Sequence, residues 1–340
     1  MITTLTATTT TEVVAQVLEQ EGSSGSSRVL TLVISTSPEG LEEALCAAHG
    51  ASLDHPCRVI AVVTPSVGTS SHSESHKTGT GAGGHEHTSS GGHLDAQVRV
   101  GHDAGAGETI VLFPWGEAAE HTDTLVVPFL LPDTPVVVWW PWRAPAAPAK
   151  DPLGLLATTR ITNTPAQKDP AAALAALAPV SVRGDIDLAW TRITLWRAMV
   201  ASTLDSAVRS GRLSSIQVAG EPRNSSIRLM ETWLRLRLGV EVTRRDEPGA
   251  RGIASITART PEGDIVIARH DHERVTVTRP GWTGPQVVTM ERREPIATLN
   301  EELRRLTPDL VYQEVLTAFG KDLSVPAAPQ LGQIPAQPSR

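Results

Sequence analysis

Apolar positions along the chain recur with two periods, and the switches between them outline the fold. Residues 28–36, RVLTLVIST, and 56–64, PCRVIAVVT, are nearly continuous apolar runs of the kind that fill a strand buried on both faces. Between them, 37–54 carries a helical pattern with Ser37 as N-cap, Pro38 just inside and acidic residues early. That order is a β-α-β unit, whose natural pairing is parallel. Ahead of it, Val13, Val14, Val17 and Leu18 form the stripe of a short amphipathic helix, followed by a Ser/Gly linker at 22–27. Further strands are predicted at 93–101, 108–115 and 135–141, with a helix over 116–131.

Past a Pro/Ala-rich connection at 143–152 the pattern turns helical at 171–178 and 185–208. The second stretch sets Leu188, Ile193, Leu195, Trp196, Met199 and Val200 mostly on one face. Residues 214–245 read as strand, helix, strand, with Gly239 stopping the helix. GIASITART, DIVIAR and RVTVTR alternate with period two between turn residues, which predicts an antiparallel meander. Two amphipathic helices, 296–306 and 308–319, follow. The pattern predicts an α/β protein with α+β elements in its C-terminal half, mixed sheets with flanking helices, and two subdomains. The expected divisions are an N-terminal helix and linker (1–27), an α/β domain (28–150) with a flexible insertion (65–92), a C-terminal α/β domain with the meander (151–320), and a disordered tail (321–340).

Composition sharpens this division. The 340 residues suffice for two cores. Residues 1–165 carry 7 basic and 17 acidic side chains, whereas the rest carry 23 and 20. The arginines of the second half alternate with acids and lack interleaved aromatics, which speaks for a salt-bridged surface and against nucleic-acid binding. Two cysteines make no disulfide framework, and the N-terminus lacks a basic start with an apolar core. The stretch 125–142 has the length of a membrane span but contains four prolines and Asp133, which excludes one. A reducing, cytoplasmic setting is expected.

Three motifs invite chemistry and are declined. Gly101, Gly105 and Gly107 follow a strand, but the residues after them are β-type, and a pyrophosphate cradle requires a helix to start there. His72, His76, His85, His87 and His93 lie in or beside a Ser/Gly-rich stretch that offers neither fixed geometry nor partner cysteines, so no metal site is predicted. Asp54, His55, Cys57 and Arg58 resemble an activated thiol, yet a small buried residue at a strand start explains Cys57 better, since no distant partner for a thiolate can be identified. No catalytic residue and no cofactor are predicted. Trp190, Trp196 and Trp233 sit on helices at core-compatible positions.

LLPDTPVVVWWPWRAP (130–145) is different, with three of the eight tryptophans in four positions. On a strand Trp139 and Trp140 point to opposite faces, and Trp142 lies past the strand end. Pro132, Asp133, Trp139, Trp140, Trp142 and Arg143 are therefore candidate partner contacts, with one of the paired tryptophans expected in the core. The Arg-rich 223–245 is a candidate for charge complementarity to an acidic partner. An alternative reading places a sugar-phosphate- or nucleotide-binding enzyme or sensor in an α/β cleft, where Arg223, Ser225 and Ser226 meet an anion at a helix start.

RVLTLVIST, DHPCRVIAVV, LDAQVRVGHDAGAGETIVL, LLPDTPVVVWWP, RITNT, DLAWTRITLWRAMVA and EELRRLTPDLVYQEVL occur in this order from about 28 to about 318. Together they resemble the OpcA family of actinobacterial glucose-6-phosphate dehydrogenase assembly proteins. The histidine-rich insertion at 65–92 departs from that pattern without touching a motif. The resemblance implies a non-catalytic accessory protein, an allosteric activator that binds glucose-6-phosphate dehydrogenase in the oxidative pentose phosphate pathway and supports NADPH supply. It carries over no functional residues, so the sites named above rest on the residues alone.

Overall fold

The computed structural model describes residues 1–21, 28–64, 92–101 and 108–324. Two sheets organise them. The first has eight strands: β1 (Ile2–Thr8), β2 (Leu30–Thr36), β3 (Cys57–Val63), β4 (His93–Val100), β5 (Glu108–Trp115), β6 (Val136–Trp140), β7 (Thr159–Thr162) and β8 (Asp185–Asp187). Their spatial order is β1-β4-β5-β3-β2-β6-β7-β8. From β5 to β8 neighbours are parallel, and β4 runs antiparallel to both β5 and β1. The unbroken apolar runs of β2, β3 and β6 follow from cover on both faces. One face carries α1 (Thr10–Glu21), through Val13 and Val17, and α4 (Pro152–Leu156), through Leu153. The other carries α2 (Leu41–Ser52).

Several boundaries differ from expectation. β1, a threonine-rich segment without an apolar signature, adds an unpredicted edge strand. The first sheet also takes β7 and β8 from beyond residue 150. Residues 116–131 form no single helix: a 3₁₀ turn at Gly116–Glu120, a short α3 (Thr122–Val126) and a second 3₁₀ turn at Val127–Phe129 replace it. Gly116 at φ +59° and Pro128, which has no amide hydrogen, fragment the run. The stretch 185–208 divides into β8, α6 (Leu188–Arg192) and α7 (Thr194–Arg209), because the Asp187 side chain caps α6 by accepting from the Ala189 amide. The last helix, α10 (Leu310–Ser324), runs past 320 into the segment expected to be a tail. The linker 22–27, residues 65–91, the glycine turn at 102–107 and residues 325–340 lie outside the described residues.

The second sheet, β10-β9-β11-β12-β13-β14, comprises β9 (Ser215–Gly220), β10 (Glu241–Asp246), β11 (Ile253–Thr260), β12 (Gly263–Arg269), β13 (Arg274–Thr278) and β14 (Gln286–Thr289). β9 and β10 are parallel across α8 (Ser225–Leu238), which ends at Gly239 in the left-handed region as expected. The meander alternates as predicted: Ile256, Ala258, Ile265, Ile267, Val275 and Val277 are buried, whereas Thr257, Val266 and Thr276 between them are only partly covered.

A single apolar core joins the inner faces of both sheets, from Leu30 of β2 to Phe319 of α10. Trp190 and Trp196 are buried in it, and Trp233 packs on it partly covered. α2 crosses α9 (Pro295–Arg304) closely. A Cβ on Gly50 would lie 2.9 Å from Ile296 Cγ2, so glycine is what permits that approach. Asn300 of α9 also donates to Asp54, just past α2.

Candidate functional site

The chain lays down β2, builds outward through β3 and β5, then returns to place β6 on the other side of β2. The carboxyl ends of β2 and β6 thus flank the switch point, the crevice where open α/β sheets take ligands. On the β2 side Ser37–Gly40 leads into α2, with Gly40 as its N-cap. On the β6 side Pro141 follows the strand, and Trp142 folds back across the crevice. Its Nε1 donates to the Gly40 carbonyl oxygen at 3.4 Å. A Cβ on Gly40 would lie 2.1 Å from Trp142 Nε1, so the indole occupies the space above α2's first turn. That turn carries Glu42 and Glu43. Glu42 is held by both terminal nitrogens of Arg99, at 2.8 and 3.1 Å, and this pairing holds its carboxyl below the usual range. A tryptophan and an acidic turn stand where a dinucleotide site has glycines and free amides.

The other tryptophans of that stretch behave differently from expectation. Trp139 and Trp140 do face opposite sides, but each is only 2% exposed. Trp139 enters the shared core and Trp140 the core under α1 and α4. Because helices cover both faces, neither is available to a partner, which corrects the expectation that one would be. Pro132 and Asp133 are exposed before β6, whereas the half-buried Trp142 and exposed Arg143 follow it. A five-residue strand spans roughly 16 Å, so these residues form two separate places rather than one patch.

The expected anion contact is also taken apart. Ser225 Oγ lies 2.9 Å from Thr164 Oγ1, and Ser226 Oγ donates to the Ala189 carbonyl at 2.9 Å. Both serines are buried and turned into the protein. Arg223 is exposed and faces Asp169 at 3.4 Å. Asn224 caps α8 through the Ile227 amide, and its own amide donates to Glu221. All six arginines of 223–245 lie within ion-pair distance of an acid: Arg228 and Arg235 of Glu231, Arg237 of Glu314, Arg244 of Asp246 and Arg245 of Glu247, beside the Arg223 pair. The stretch is charge-balanced, not a free basic surface.

Buried polar groups hold the frame. Asp187 accepts from the hydroxyls of Thr162 and Thr164 and from the amides of Thr164 and Ala189. Arg160 pairs with Asp185 and donates to the carbonyls of Gly154, Ala157 and Arg183. Glu302 accepts from Thr191 at 2.6 Å, and burial pushes its carboxyl up to about 7. Burial likewise pushes the Cys57 thiol up to about 12, so it is no thiolate; the adjacent Arg58 pairs with Glu108 instead. His93 stacks on Trp115. Among the described residues no group of three or more His, Cys, Asp or Glu could hold a metal. No helix among them is long and apolar enough to cross a membrane.

What the sequence reading missed is a cleft of about 520 Å³ beside the α8 start, lined by Arg192, Arg251, Arg269, Arg292 and Arg293. These arginines come from four separated segments, so only the fold reveals that they meet.

Two α/β sheets joined through one core, with a tryptophan laid over the switch-point crevice, define an α/β protein whose usual ligand position is filled by its own side chain. The N-terminal domain model of the glucose-6-phosphate dehydrogenase subunit matches residues 48–179, and the C-terminal domain model matches 183–316. The chain belongs to the OpcA family of glucose-6-phosphate dehydrogenase assembly proteins. No curated protein sequence matches it significantly. Solved structures with a similar outline include an oxidoreductase from Sinorhizobium meliloti, at 9% identity and a TM-score of 0.45, over 88% of this chain and 96% of that one. Another is levoglucosan dehydrogenase in complex with NADH and L-sorbose, at 10% identity and a TM-score of 0.36, over 87% and 90%.

Proposed function

We propose that this chain is a non-catalytic accessory protein that binds glucose-6-phosphate dehydrogenase in the cytoplasm and promotes its assembly or activation. That enzyme feeds the oxidative pentose phosphate pathway and its NADPH supply. The observation that carries the reading is the succession of two subunit-domain matches covering 48–316. The physical mechanism is linkage. A protein that binds the assembled, active enzyme better than its other states shifts the population toward the active form, by no more than its differential affinity.

Our proposed contact is Trp142 and Arg143; a half-buried tryptophan beside an exposed arginine at the carboxyl end of β6 supports it. Both residue types are enriched among interface hot spots. The filled crevice supports this over the alternative of a nucleotide-binding enzyme, since Trp142 meets the surroundings there in place of a cofactor. The test is co-purification with glucose-6-phosphate dehydrogenase from the same organism, with kinetics measured across substrate concentration in its presence and absence. Co-elution with a raised kcat or lowered KM supports the proposal; neither co-elution nor a kinetic effect at micromolar concentrations refutes it.

A further inference from the structure

The arginine-lined cleft lies on the second half, away from β6. Its walls are the α6–α7 junction, the turn before α8, the start of β11, the end of β12 and the segment leading into α9. Its volume of about 520 Å³ falls within the range of small-molecule sites. Five arginines face three glutamates there, so positive charge is in excess.

The glutamates do not neutralise it by direct pairing. Glu221 accepts from the Asn224 side chain at 2.9 Å and the Gly252 amide at 2.8 Å. Glu294 has His272 at 3.7 Å, and Glu291 is exposed. Arg293 is taken by Glu301 and the Thr191 carbonyl. Arg292 is steadied on the Arg251 backbone carbonyl, and both arginines line the cleft.

Arg192 and Arg269 are the telling pair. Arg269 donates to the Met290 carbonyl and lies over the Trp196 ring, 5.4 Å from its centroid, so its guanidinium is fixed in place. Its Nε is nevertheless buried without an acceptor. Arg192 Nε is likewise buried and without an acceptor, and Asp187, Glu221 and Glu294 act on it only through space. Burial lowers both guanidinium groups, Arg269 to about 10, and an arginine side chain keeps its proton in proteins. A buried donor left unpaired destabilises the fold, and two of the arginines that line this positively charged cleft each carry one. A phosphate group supplies what is missing: several acceptor oxygens and two negative charges, matched to planar guanidinium forks. A single carboxylate would offer half that charge.

We infer that this cleft binds the phosphate of a small phosphorylated metabolite, with the guanidinium groups of Arg192 and Arg269 as donors and Arg251 and Arg292 adding charge at the rim. The inference stands apart from the proposed enzyme partner, because it concerns the isolated chain. The test is calorimetric titration of the full chain with pyrophosphate, ribose 5-phosphate and uncharged ribose. Saturable binding of either phosphate probe and none of ribose is expected. Arg192→Gln should weaken it about tenfold or more, with near-UV circular dichroism confirming the fold. Arg251→Gln, at an exposed position, should weaken it in the same sense without threatening the fold. Arg209→Gln, exposed on the last turn of α7, should leave it unchanged. Absence of binding by both phosphate probes at millimolar concentration overturns the inference. So does binding that the Arg192 and Arg251 variants leave intact, or that Arg209→Gln weakens equally.

Discussion

Thr164 and Ser225 stand 61 positions apart, yet their hydroxyl oxygens lie 2.9 Å from each other where the first sheet meets α8. The Thr164 hydroxyl is bonded in turn to Asp187, which gathers four donors from β7, its following turn and α6. Removing that carboxylate strands several buried donors at once. Asp187→Ala should therefore cost about 4 kcal/mol, whereas Ser225→Ala, which loses one hydroxyl contact, should cost about 1 kcal/mol. Urea denaturation with unchanged slope is the measurement.

Trp142 separates binding from folding. Trp142→Ala should lower the melting temperature less than loss of either strand tryptophan, since the indole is only half-buried, while weakening retention of glucose-6-phosphate dehydrogenase at least tenfold, as loss of a hot-spot tryptophan does. Trp139→Ala and Trp140→Ala should instead each cost about 3–5 kcal/mol in stability. Gly40→Ala supplies an orthogonal route: its methyl group claims the position of the indole, so tryptophan fluorescence should change and partner retention should fall together.

Glu302 sets a pH dependence. Its ordinary value is 4.5; burial first, then Glu301 and Asp309, raise it to about 7, while Thr191 and Arg305 pull the other way. In the window between those values the folded chain binds more protons than the unfolded one, so stability from this group is complete below the window and declines as pH rises through it. Glu302→Gln should flatten that decline. At about pH 8 the variant should be more stable, by on the order of 2 kcal/mol, and near the acid end of the window it should match the parent. Thermal melts at the two pH values decide it.

The two thiols should differ sharply. Cys46 is exposed on α2, whereas Cys57 is buried at the start of β3 with its thiol pushed up to about 12. Maleimide should modify the folded protein once, at Cys46, and a second time only after denaturation. Mass spectrometry reads both steps.

The parts of this fold legible in the sequence are those where local pattern and burial coincide. Continuous apolar runs at β2, β3 and β6 announced strands covered on both faces, and Gly239 announced the end of α8. β1 was not legible, because a threonine-rich edge strand gains its order from pairing with β4 and carries no apolar period of its own. The alternation of Trp139 and Trp140 follows from strand geometry alone, but their burial depends on helices from distant segments closing over both faces. The alternative that sets Ser225 and Ser226 against an anion at a helix start fails because α8 packs on the turn after β7 and on α6, which turns both hydroxyls inward. The cleft arginines escaped for the converse reason. Between Arg192 and Arg293 lie α7, α8 and all six strands of the second sheet, so proximity belongs to topology rather than to spacing.

The common core has a consequence for how the molecule responds as a whole. The family models divide the chain between 179 and 183, but the apolar interior runs through that line, and α2 from one side is locked on α9 from the other. Neither half can melt without exposing the wall of its neighbour. Whatever grips one half, an enzyme at Trp142 or a phosphate at Arg192, thus protects residues it never touches, and heat should unfold the chain as one cooperative event.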